Sequence, residues 1–346
     1  MYNHQQNLIA FGIRLIDKYI LLTFFFLLLL NNMQKEIFLD LTDCRALGDT
    51  ICSTPTIKKI SESYNAQITI CTNFPEIFKS NPYVKKTYLP NNVNIEFIKE
   101  NFIYHNSFHS LGQKDQYGVE HKHNNTDIRQ FHAIKLGFML SDYEMDCFYK
   151  PDVFEDIEGL PEKYVLIHPV QTWPSRTWSS EKWMEITKKL NEQGISVVSV
   201  GKDSSETGFF NVQKPTFNFE IEKGLNLMNK TNLSQVHHLI QKSICFITMD
   251  SGLLHLAGTT DANIIMLGSS IKPEFRLPYR NGSQSYKQYY VSGGCNVNCA
   301  SDMKYGVKEW GSINGVPPLI NCLEKKPTFE CHPSVEQVLN KIKELI

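Results

Sequence analysis

Short apolar runs alternate with amphipathic stretches along most of the chain, and the two patterns predict strands and helices in turn. Runs of β-branched and aromatic residues bounded by glycine, proline or polar residues predict buried strands. The predicted strands are Glu36–Leu41, Gln67–Thr72, Val84–Leu89, Tyr164–Pro169, Gly194–Gly201, Ile244–Ile247 and Asn263–Gly268. The predicted helices are Asp127–Gly137, Glu181–Leu190, Asn232–Ser243 and Ser334–Ile346. This alternation favours an α/β fold with doubly wound parallel sheets.

The segment Thr248–Gly258 separates two of these apolar runs and starts with the turn Asp250-Ser251-Gly252, here called the Asp250 turn. A short helix is predicted after it. The turn would lie at the carboxyl edge of a parallel sheet, where open α/β sheets bind ligands. The backbone N–H groups of Ser251 and Gly252 would point outward at the positive end of the helix dipole, as in phosphate sites. Helix capping alone is the alternative role for Asp250 and Ser251.

A similar strand, turn and helix contain Asp49. Gly48 allows a sharp turn, and Thr54 with Pro55 predicts a helix that runs to about Tyr64. We therefore expect Asp49 in a glycine turn at the carboxyl edge of its sheet. A carboxylate on a rigid turn facing a cleft can act as a general base on an acceptor hydroxyl. Helix capping is again the alternative.

A polar loop, residues 171–180, follows the predicted strand Tyr164–Pro169 and contains Arg176. The loop would leave the sheet at the same edge as the Asp250 turn. An arginine at that place can hold a diphosphate through two hydrogen bonds. The alternative is a solvated surface arginine.

Length and charge narrow the classes of function. A chain of 346 residues suits two domains, and a formal net charge of −1 gives no electrostatic case for nucleic acid. The acidic stretch 151–161 is predicted to be the linker between the domains. Residues 90–126 are rich in Asn and His and are predicted to be a surface loop region, since their histidines match no compact metal site.

The first 32 residues contain an apolar run, Tyr19–Leu30, which is too short to cross a bilayer as a helix. The run fits the apolar core of a signal peptide, but no small-residue cleavage pattern follows it. A signal anchor extended upstream would have to bury Arg14, Asp17 and Lys18. We therefore favour Met33 as the natural start and expect residues 1–32 to be upstream sequence read in frame.

Four segments, in chain order, resemble motifs of glycosyltransferase family 9, the heptosyltransferases. The family motifs are R-x-L-G-D…P, H-P-G…K-x-W-P, G-x-T-s-L and D-S/T-G-x-x-H-L-A. The matching segments are Arg45–Asp49 with Pro55, His168-Pro169 with Arg176–Trp178, Asn229–Leu233 and Asp250–Ala257. The resemblance covers most of residues 36–346, and four motifs in register are far more specific than any one.

The resemblance implies a GT-B fold, in which two Rossmann-like doubly wound domains face a cleft. Residues 33–155 would bind the acceptor. Residues 160–332, with a Cys-rich tail, would bind the nucleotide sugar, and residues 333–346 would form a helix crossing back to the first domain. The implied reaction is an inverting, metal-independent transfer of a heptose-like sugar from ADP-heptose or a related nucleotide sugar. The acceptor would be a hydroxyl of a glycan, lipopolysaccharide core or protein. We expect a cytoplasmic location, with association at the inner face of the membrane left open.

The resemblance also implies roles for individual residues. Asp49 would be the base, and Arg176 with the Ser251 and Gly252 amides would stabilise the departing diphosphate. Asp250 and His255 would order the sugar-nucleotide site, while a core histidine is the alternative for His255. The chain departs from the family pattern at four positions, and these departures bear on the donor more than on the fold. They are Val170 for glycine, Arg176 for lysine, Ser179 for proline and Asn229 for glycine.

The nine cysteines fall into two groups. Five scattered ones, several within apolar runs, are predicted to be reduced thiols of a cytosolic protein. The other four are clustered near the C-terminus: Cys295, Cys299, Cys322 and Cys331. Four thiolates suit zinc or iron, and the resemblance includes relatives in which such cysteines hold iron. A structural metal ion and free thiols are the two alternatives that the sequence leaves open.

Two other functions stay open from the sequence alone. One is a GT-B enzyme of a different reaction, such as a sugar-nucleotide epimerase, and the other is a non-catalytic protein that binds a sugar nucleotide. An epimerase has no acceptor hydroxyl to deprotonate, so the presence of Asp49 argues against it. Asp49 also weakens the non-catalytic alternative.

Overall fold

The computed structural model describes residues 35–42, 44, 46–106, 112–114, 120–122, 125–153, 156–169, 174–202, 219–221, 223–295, 297–301, 322 and 324–346. The predictions made for residues 1–32, Arg45 and Val170 lie outside these residues. No helix within the described ranges is long and apolar enough to span a bilayer.

The first part of the chain forms a four-stranded parallel sheet in the order β3-β2-β1-β4. Its strands are β1 (Lys35–Asp40), β2 (Ala66–Cys71), β3 (Val84–Tyr88) and β4 (Ile103–Asn106). The helices of this part are α1 (Leu47–Cys52), α2 (Thr54–Tyr64), α3 (Ile95–Asn101) and α4 (Ile128–Lys135). A separate antiparallel pair is formed by β5 (Gly112–Lys114) and β6 (Glu120–Lys122). One-turn 3₁₀ helices lie at Pro75–Ile77, Pro90–Asn92 and Asp142–Glu144.

The second part forms a six-stranded parallel sheet in the order β12-β11-β10-β7-β8-β9. Its strands are β7 (Tyr164–Ile167), β8 (Ser196–Ser199), β9 (Leu225–Asn226), β10 (Cys245–Thr248), β11 (Ile264–Leu267) and β12 (Gln288–Val291). Its helices are α5 (Ser180–Glu192), α6 (Leu233–Lys242), α7 (Gly252–Ala257) and α8 (Val335–Lys343), with 3₁₀ turns at Pro174–Arg176 and Pro273–Phe275. Strands β7, β10 and β11 are buried along their whole length, which explains their unbroken apolar sequences.

The two parallel sheets confirm the predicted α/β fold. Apolar residues from both sheets belong to one continuous core, to which Leu39 and Ile70 contribute from the first sheet and Leu166 and Phe246 from the second. Leu254 of α7 is part of the same core. The two parts of the chain therefore share a core, and α1, which follows β1, packs against α7, which follows β10.

The described part of residues 90–126 differs from the surface loop region that the sequence predicts. Strand β4 pairs with β1 along Ile37–Asp40, and α3 precedes it. Asn94 caps α3 by accepting hydrogen bonds from the backbone N–H groups of Glu96 and Phe97. Ile98 is buried against the sheet. The prediction of a loop rested on the Asn-rich composition of this segment. One of these residues, Asn94, is a helix cap, which is a role that asparagine also favours.

The C-terminal helix α8 also differs from its expected course. Its apolar side packs into the core of the six-stranded sheet with Trp178 and Trp183, through Val335, Val338, Leu339 and Ile342. Trp178 Nε1 and Lys182 Nζ both donate to the carbonyl oxygen of Pro333, at 2.9 and 3.0 Å. These contacts hold the start of α8 on the second sheet. The family resemblance instead implies a helix that crosses back to the first domain.

Candidate active site

The two strand–turn–helix units singled out in the sequence meet between the sheets, where α1 packs against α7. Gly48 and Gly252 are face to face at this contact. A Cβ atom added to Gly48 would lie 2.9 Å from Cδ2 of His255 and 3.1 Å from Cα of Gly252. A Cβ atom added to Gly252 would lie 3.2 Å from the backbone nitrogen of Gly48. The absence of side chains at these two positions therefore sets how closely the helices approach.

Asp49 lies in the first turn of α1 and is 9% exposed. The expectation of a glycine turn is wrong here, because Gly48 and Asp49 are both helical and the extended residue before the helix is Ala46. The Asp49 carboxylate nevertheless lies near residues of the second part of the chain, since its charge raises the pKa of both His255 and Arg276. Asp49 thus comes from the first sheet and lies beside the residues of the Asp250 turn.

Asp250 is held by two arginines that come from the loops on either side of it. Arg176 follows β7 and Arg276 follows the turn after β11, and these strands flank β10 in the sheet. Arg176 Nε lies 3.2 Å from Asp250 Oδ2, and Arg276 Nε lies 3.4 Å from the same atom. Arg176 also donates to the Asp250 carbonyl oxygen, through Nε at 2.8 Å and through Nη2. Asp250 therefore anchors arginines and does not merely cap a helix.

The Ser251 side chain is held by two neighbouring polar side chains. Its hydroxyl lies 3.0 Å from Thr248 Oγ1 and 3.2 Å from Nδ1 of His168, while His168 Nδ1 lies 3.0 Å from Thr248 Oγ1. Ser251 occupies the N-cap position of α7 but makes no side-chain capping hydrogen bond. Burial lowers the pKa of His168 to about 3, so its imidazole is neutral. The three side chains fix the turn and leave the backbone of Ser251 and Gly252 to begin the helix.

His255 lies one turn into α7, buried beside Gly48. Burial lowers its pKa to about 3; Asp250 opposes this shift, while Arg129 and Arg276 add to it. Among the described residues, none forms a hydrogen bond with its Nδ1 atom. His255 is thus a neutral ring between the two sheets, in contact with the helix that carries Asp49.

Arg129 of α4 joins the two parts of the chain at the same place. Its guanidinium pairs with Asp127, donates to the carbonyl oxygen of Leu277 at 2.8 Å and lies 4.9 Å from the ring centroid of Tyr279. Burial, the largest single influence, lowers the pKa of Arg129, but the charge and hydrogen bond of Asp127, with smaller contributions from Cys52 and Cys147, together raise it above its ordinary value. Arg129 therefore ties the first sheet to the loop that also carries Arg276.

The sequence did not single out Arg129 or Arg276. Arg129 lies within an amphipathic helix, so the sequence pattern predicts a side chain on the polar, exposed face. In the structure Arg129 is fully buried. Arg276 follows a 3₁₀ turn in a loop with no motif. The available signal was positional: Arg276 follows an apolar strand next to the Asp250 turn, as Arg176 does.

Three of the four C-terminal cysteines act electrostatically on the fourth, Cys331. Burial raises the pKa of Cys331 to about 12, and the charges of Cys299, Cys295 and Cys322 add to the shift in that order. Within the described part of the chain, no three His, Cys, Asp or Glu side chains are arranged as ligands of one ion. Four cysteine thiols whose charges act on one another are nevertheless the donor chemistry of a zinc or iron site.

The sequence profile of glycosyltransferase family 9 (heptosyltransferase) matches residues 122–300, just over half of the chain. No curated protein sequence matches significantly. Among solved structures, TibC, an iron-containing dodecameric glycosyltransferase from enterotoxigenic E. coli H10407, is 16% identical, with a TM-score of 0.65 over 90% of this chain and 76% of that chain. Another structure of TibC contains ADP-D-β-D-heptose.

Two further structures show the same likeness. A family 9 glycosyltransferase from Veillonella parvula is 13% identical, with a TM-score of 0.59 over 90% of this chain and 97% of that one. The ADP-heptose lipopolysaccharide heptosyltransferase II of E. coli is 15% identical, with a TM-score of 0.57 over 90% and 98%. These likenesses confirm the fold, and the profile match establishes the family. The chain belongs to glycosyltransferase family 9 and is a glycosyltransferase with the GT-B fold.

Proposed function

We propose that the protein transfers a heptose-like sugar from ADP-heptose, or a related nucleotide sugar, to a hydroxyl group with inversion at the anomeric carbon and without a catalytic metal. The acceptor hydroxyl belongs to a glycan, a lipopolysaccharide core or a protein. The observation that carries this proposal is the position of Asp49, in the helix that follows β1, close to the Asp250 turn and Arg176 at the edge of the second sheet. The proposed base and the proposed anion-binding group are therefore near each other.

In this proposal the two parts of the chain bind different substrates. Residues 33–155 present the acceptor, because Asp49 is the base and lies in α1. Residues 160–332 bind the nucleotide sugar, because Arg176 and the Asp250 turn lie at the carboxyl end of their sheet, where such folds hold nucleotides. The ADP-D-β-D-heptose in the TibC structure supports the choice of donor.

The reaction proceeds as a single displacement. The acceptor oxygen attacks the anomeric carbon while its proton passes to the Asp49 carboxylate. The bond from the anomeric carbon to the diphosphate oxygen breaks on the opposite face, so the configuration inverts. The nucleoside diphosphate departs with the bonding electron pair, and negative charge grows on its oxygens.

Arg176 stabilises that growing charge. Asp250 orients the guanidinium through both its carboxylate and its carbonyl oxygen, and the Arg176 side chain is 16% exposed, so it is accessible to a ligand. A hydrogen-bond donor that is already in position before the reaction begins needs no reorganisation when the charge develops. The backbone N–H groups of Ser251 and Gly252 complete the site, and His255 lies beneath it as a neutral ring.

The first test is calorimetric titration of the full chain with ADP, UDP and GDP, alongside Asp250→Ala. We expect selective binding of ADP that is lost in Asp250→Ala, because the variant removes the carboxylate that pairs with Arg176 and Arg276 and leaves the two guanidinium groups without their shared counter-ion. Lys272→Met, which removes an exposed cation on the neighbouring loop, should bind ADP as the unaltered protein does. A preference for UDP or GDP would contradict the proposed donor, and no nucleotide binding would contradict the proposed function.

We further propose that Cys295, Cys299, Cys322 and Cys331 hold one structural zinc or iron ion. Bound there, the ion would cross-link the C-terminal tail to the loop after β12 and take no part in the transfer. Purified protein is expected to carry about one such ion per chain by elemental analysis. In Cys331→Ser the ion should be lost and the melting temperature should fall, while Cys245→Ser, a buried cysteine of β10, should keep its ion. The proposal would be contradicted if the unaltered protein contained no metal ion and melted at the same temperature as Cys331→Ser.

A further inference from the structure

Arg276 has no role in the transfer described above, yet it is among the most deeply buried charged side chains of the molecule. Its side chain is 2% exposed and approaches the same Asp250 oxygen as Arg176 does. Its Nη1 donates to the carbonyl oxygen of Phe275 at 2.8 Å, so the guanidinium is held from its own loop. A cation fixed so deeply next to a proposed anion site calls for an explanation.

Two guanidinium groups share one carboxylate at Asp250. The Asp250 side chain is 3% exposed, and the N–O distances of 3.2 and 3.4 Å are nearly equal. Without Arg276, the full charge of the carboxylate would be directed at Arg176 and would compete with any anionic ligand for it. With Arg276 in place, the carboxylate is partly neutralised by a second cation. The electrostatic attraction between Asp250 and Arg176 is then weaker, and an anionic ligand in the cleft competes for Arg176 more easily.

We propose that Arg276 is a positioning residue of the diphosphate subsite: by sharing the Asp250 carboxylate, it leaves the anchored Arg176 guanidinium able to bind the diphosphate of a nucleotide. This inference rests on the proposed function. It adds a residue that lies outside the four family-like motifs and acts on the ligand only through Asp250 and Arg176.

The electrostatics of the cluster agree with this role. Burial lowers the pKa of Arg276 and Arg176 lowers it further, while Asp250, Asp49 and Asp127 oppose the shift. Asp250 is the largest of the influences that favour the charged guanidinium, which agrees with the pairing that the distances show.

The test is calorimetric titration of the full chain with ADP and with adenosine, which lacks the diphosphate. For Arg276→Met we expect the Kd for ADP to rise at least about tenfold while the Kd for adenosine stays the same. Arg276→Lys, which keeps the charge, should recover part of the ADP affinity. Lys272→Met, on the same loop, removes a cation that pairs with Glu274 and should leave both constants unchanged. Thermal melts confirm that each variant is folded.

A double-mutant cycle with Asp250→Asn tests the route of the effect. Asp250→Asn keeps an amide oxygen in place of the carboxylate, so, unlike Asp250→Ala, it is expected to retain weakened but measurable ADP binding. Since Arg276 acts through the carboxylate, Arg276→Met should cause little further loss of ADP affinity in the Asp250→Asn background. An equal loss in both backgrounds, an equal loss for adenosine, or unchanged ADP binding in Arg276→Met would each overturn this inference alone. Failure of the unaltered protein to bind any nucleoside diphosphate would overturn the proposed function and this inference together.

Discussion

Asp49→Ala is expected to lower kcat for sugar transfer by roughly 10²- to 10⁴-fold, the usual contribution of a general base. The acceptor hydroxyl then has no group to take its proton as it attacks the anomeric carbon. The affinity for ADP should stay close to that of the unaltered protein, because Arg176 and the Asp250 turn belong to the other sheet. Steady-state kinetics with ADP-heptose and calorimetric titration with ADP measure the two quantities separately.

The controls for this experiment are one isosteric and one distant variant. Asp49→Asn keeps the size of the side chain and should lose as much activity as Asp49→Ala, since the amide cannot act as a base. Asp156→Asn, which changes an exposed carboxylate elsewhere, should be fully active. Unchanged turnover in Asp49→Asn would show that Asp49 is not the base.

Gly48→Ala is expected to destabilise the protein by about 1–3 kcal/mol and to lower transfer activity. Alanine in place of a helical glycine ordinarily stabilises by about 0.5–1 kcal/mol, so the sign depends on the surroundings. Here the added methyl group would meet the backbone at Gly252 and the buried ring of His255, at 3.1 and 2.9 Å. Neither neighbour can swing aside, so α1 and α7 would have to move apart and take Asp49 away from the Asp250 turn.

Gly294→Ala is the matched control for this substitution, because a Cβ atom there meets nothing within 4 Å. The free energy of unfolding, from urea denaturation, should be close to that of the unaltered protein for Gly294→Ala and lower for Gly48→Ala. If Gly48→Ala is as stable and as active as the control, the close approach of the two helices does not matter for the fold or the reaction.

The local elements of this fold were accessible from sequence because their signals are local. Asp127, Ser179, Asn232 and Ser334 each cap a helix through their own side chain, and the four helices begin within one residue of their predicted starts. The apolar strands of the second sheet could be identified because they are buried on both faces. Strand β12 was missed because its polar and aromatic sequence, Gln288–Val291, lacks that pattern.

The candidate site was accessible only in part, since its contacts depend on the order of strands within a sheet. The sequence placed Asp250 and Arg176 at one sheet edge, but it did not reveal that β11 lies on the other side of β10 and brings in Arg276. Asp49 was identified by its position after a strand, while its helical conformation was not. Arg129 stayed hidden because its partner, the Leu277 carbonyl, is 148 positions away along the chain.

The burial of the two imidazoles near the cleft also determines which groups supply its positive charge. His168 and His255 each have a pKa lowered to about 3, so neither gains a proton between pH 5 and 9. The cations at the Asp250 turn are arginines, a residue type that stays charged throughout this range. The attraction of the cleft for an anionic leaving group is therefore insensitive to cellular acidification, and acid can affect the transfer there mainly by protonating carboxylates.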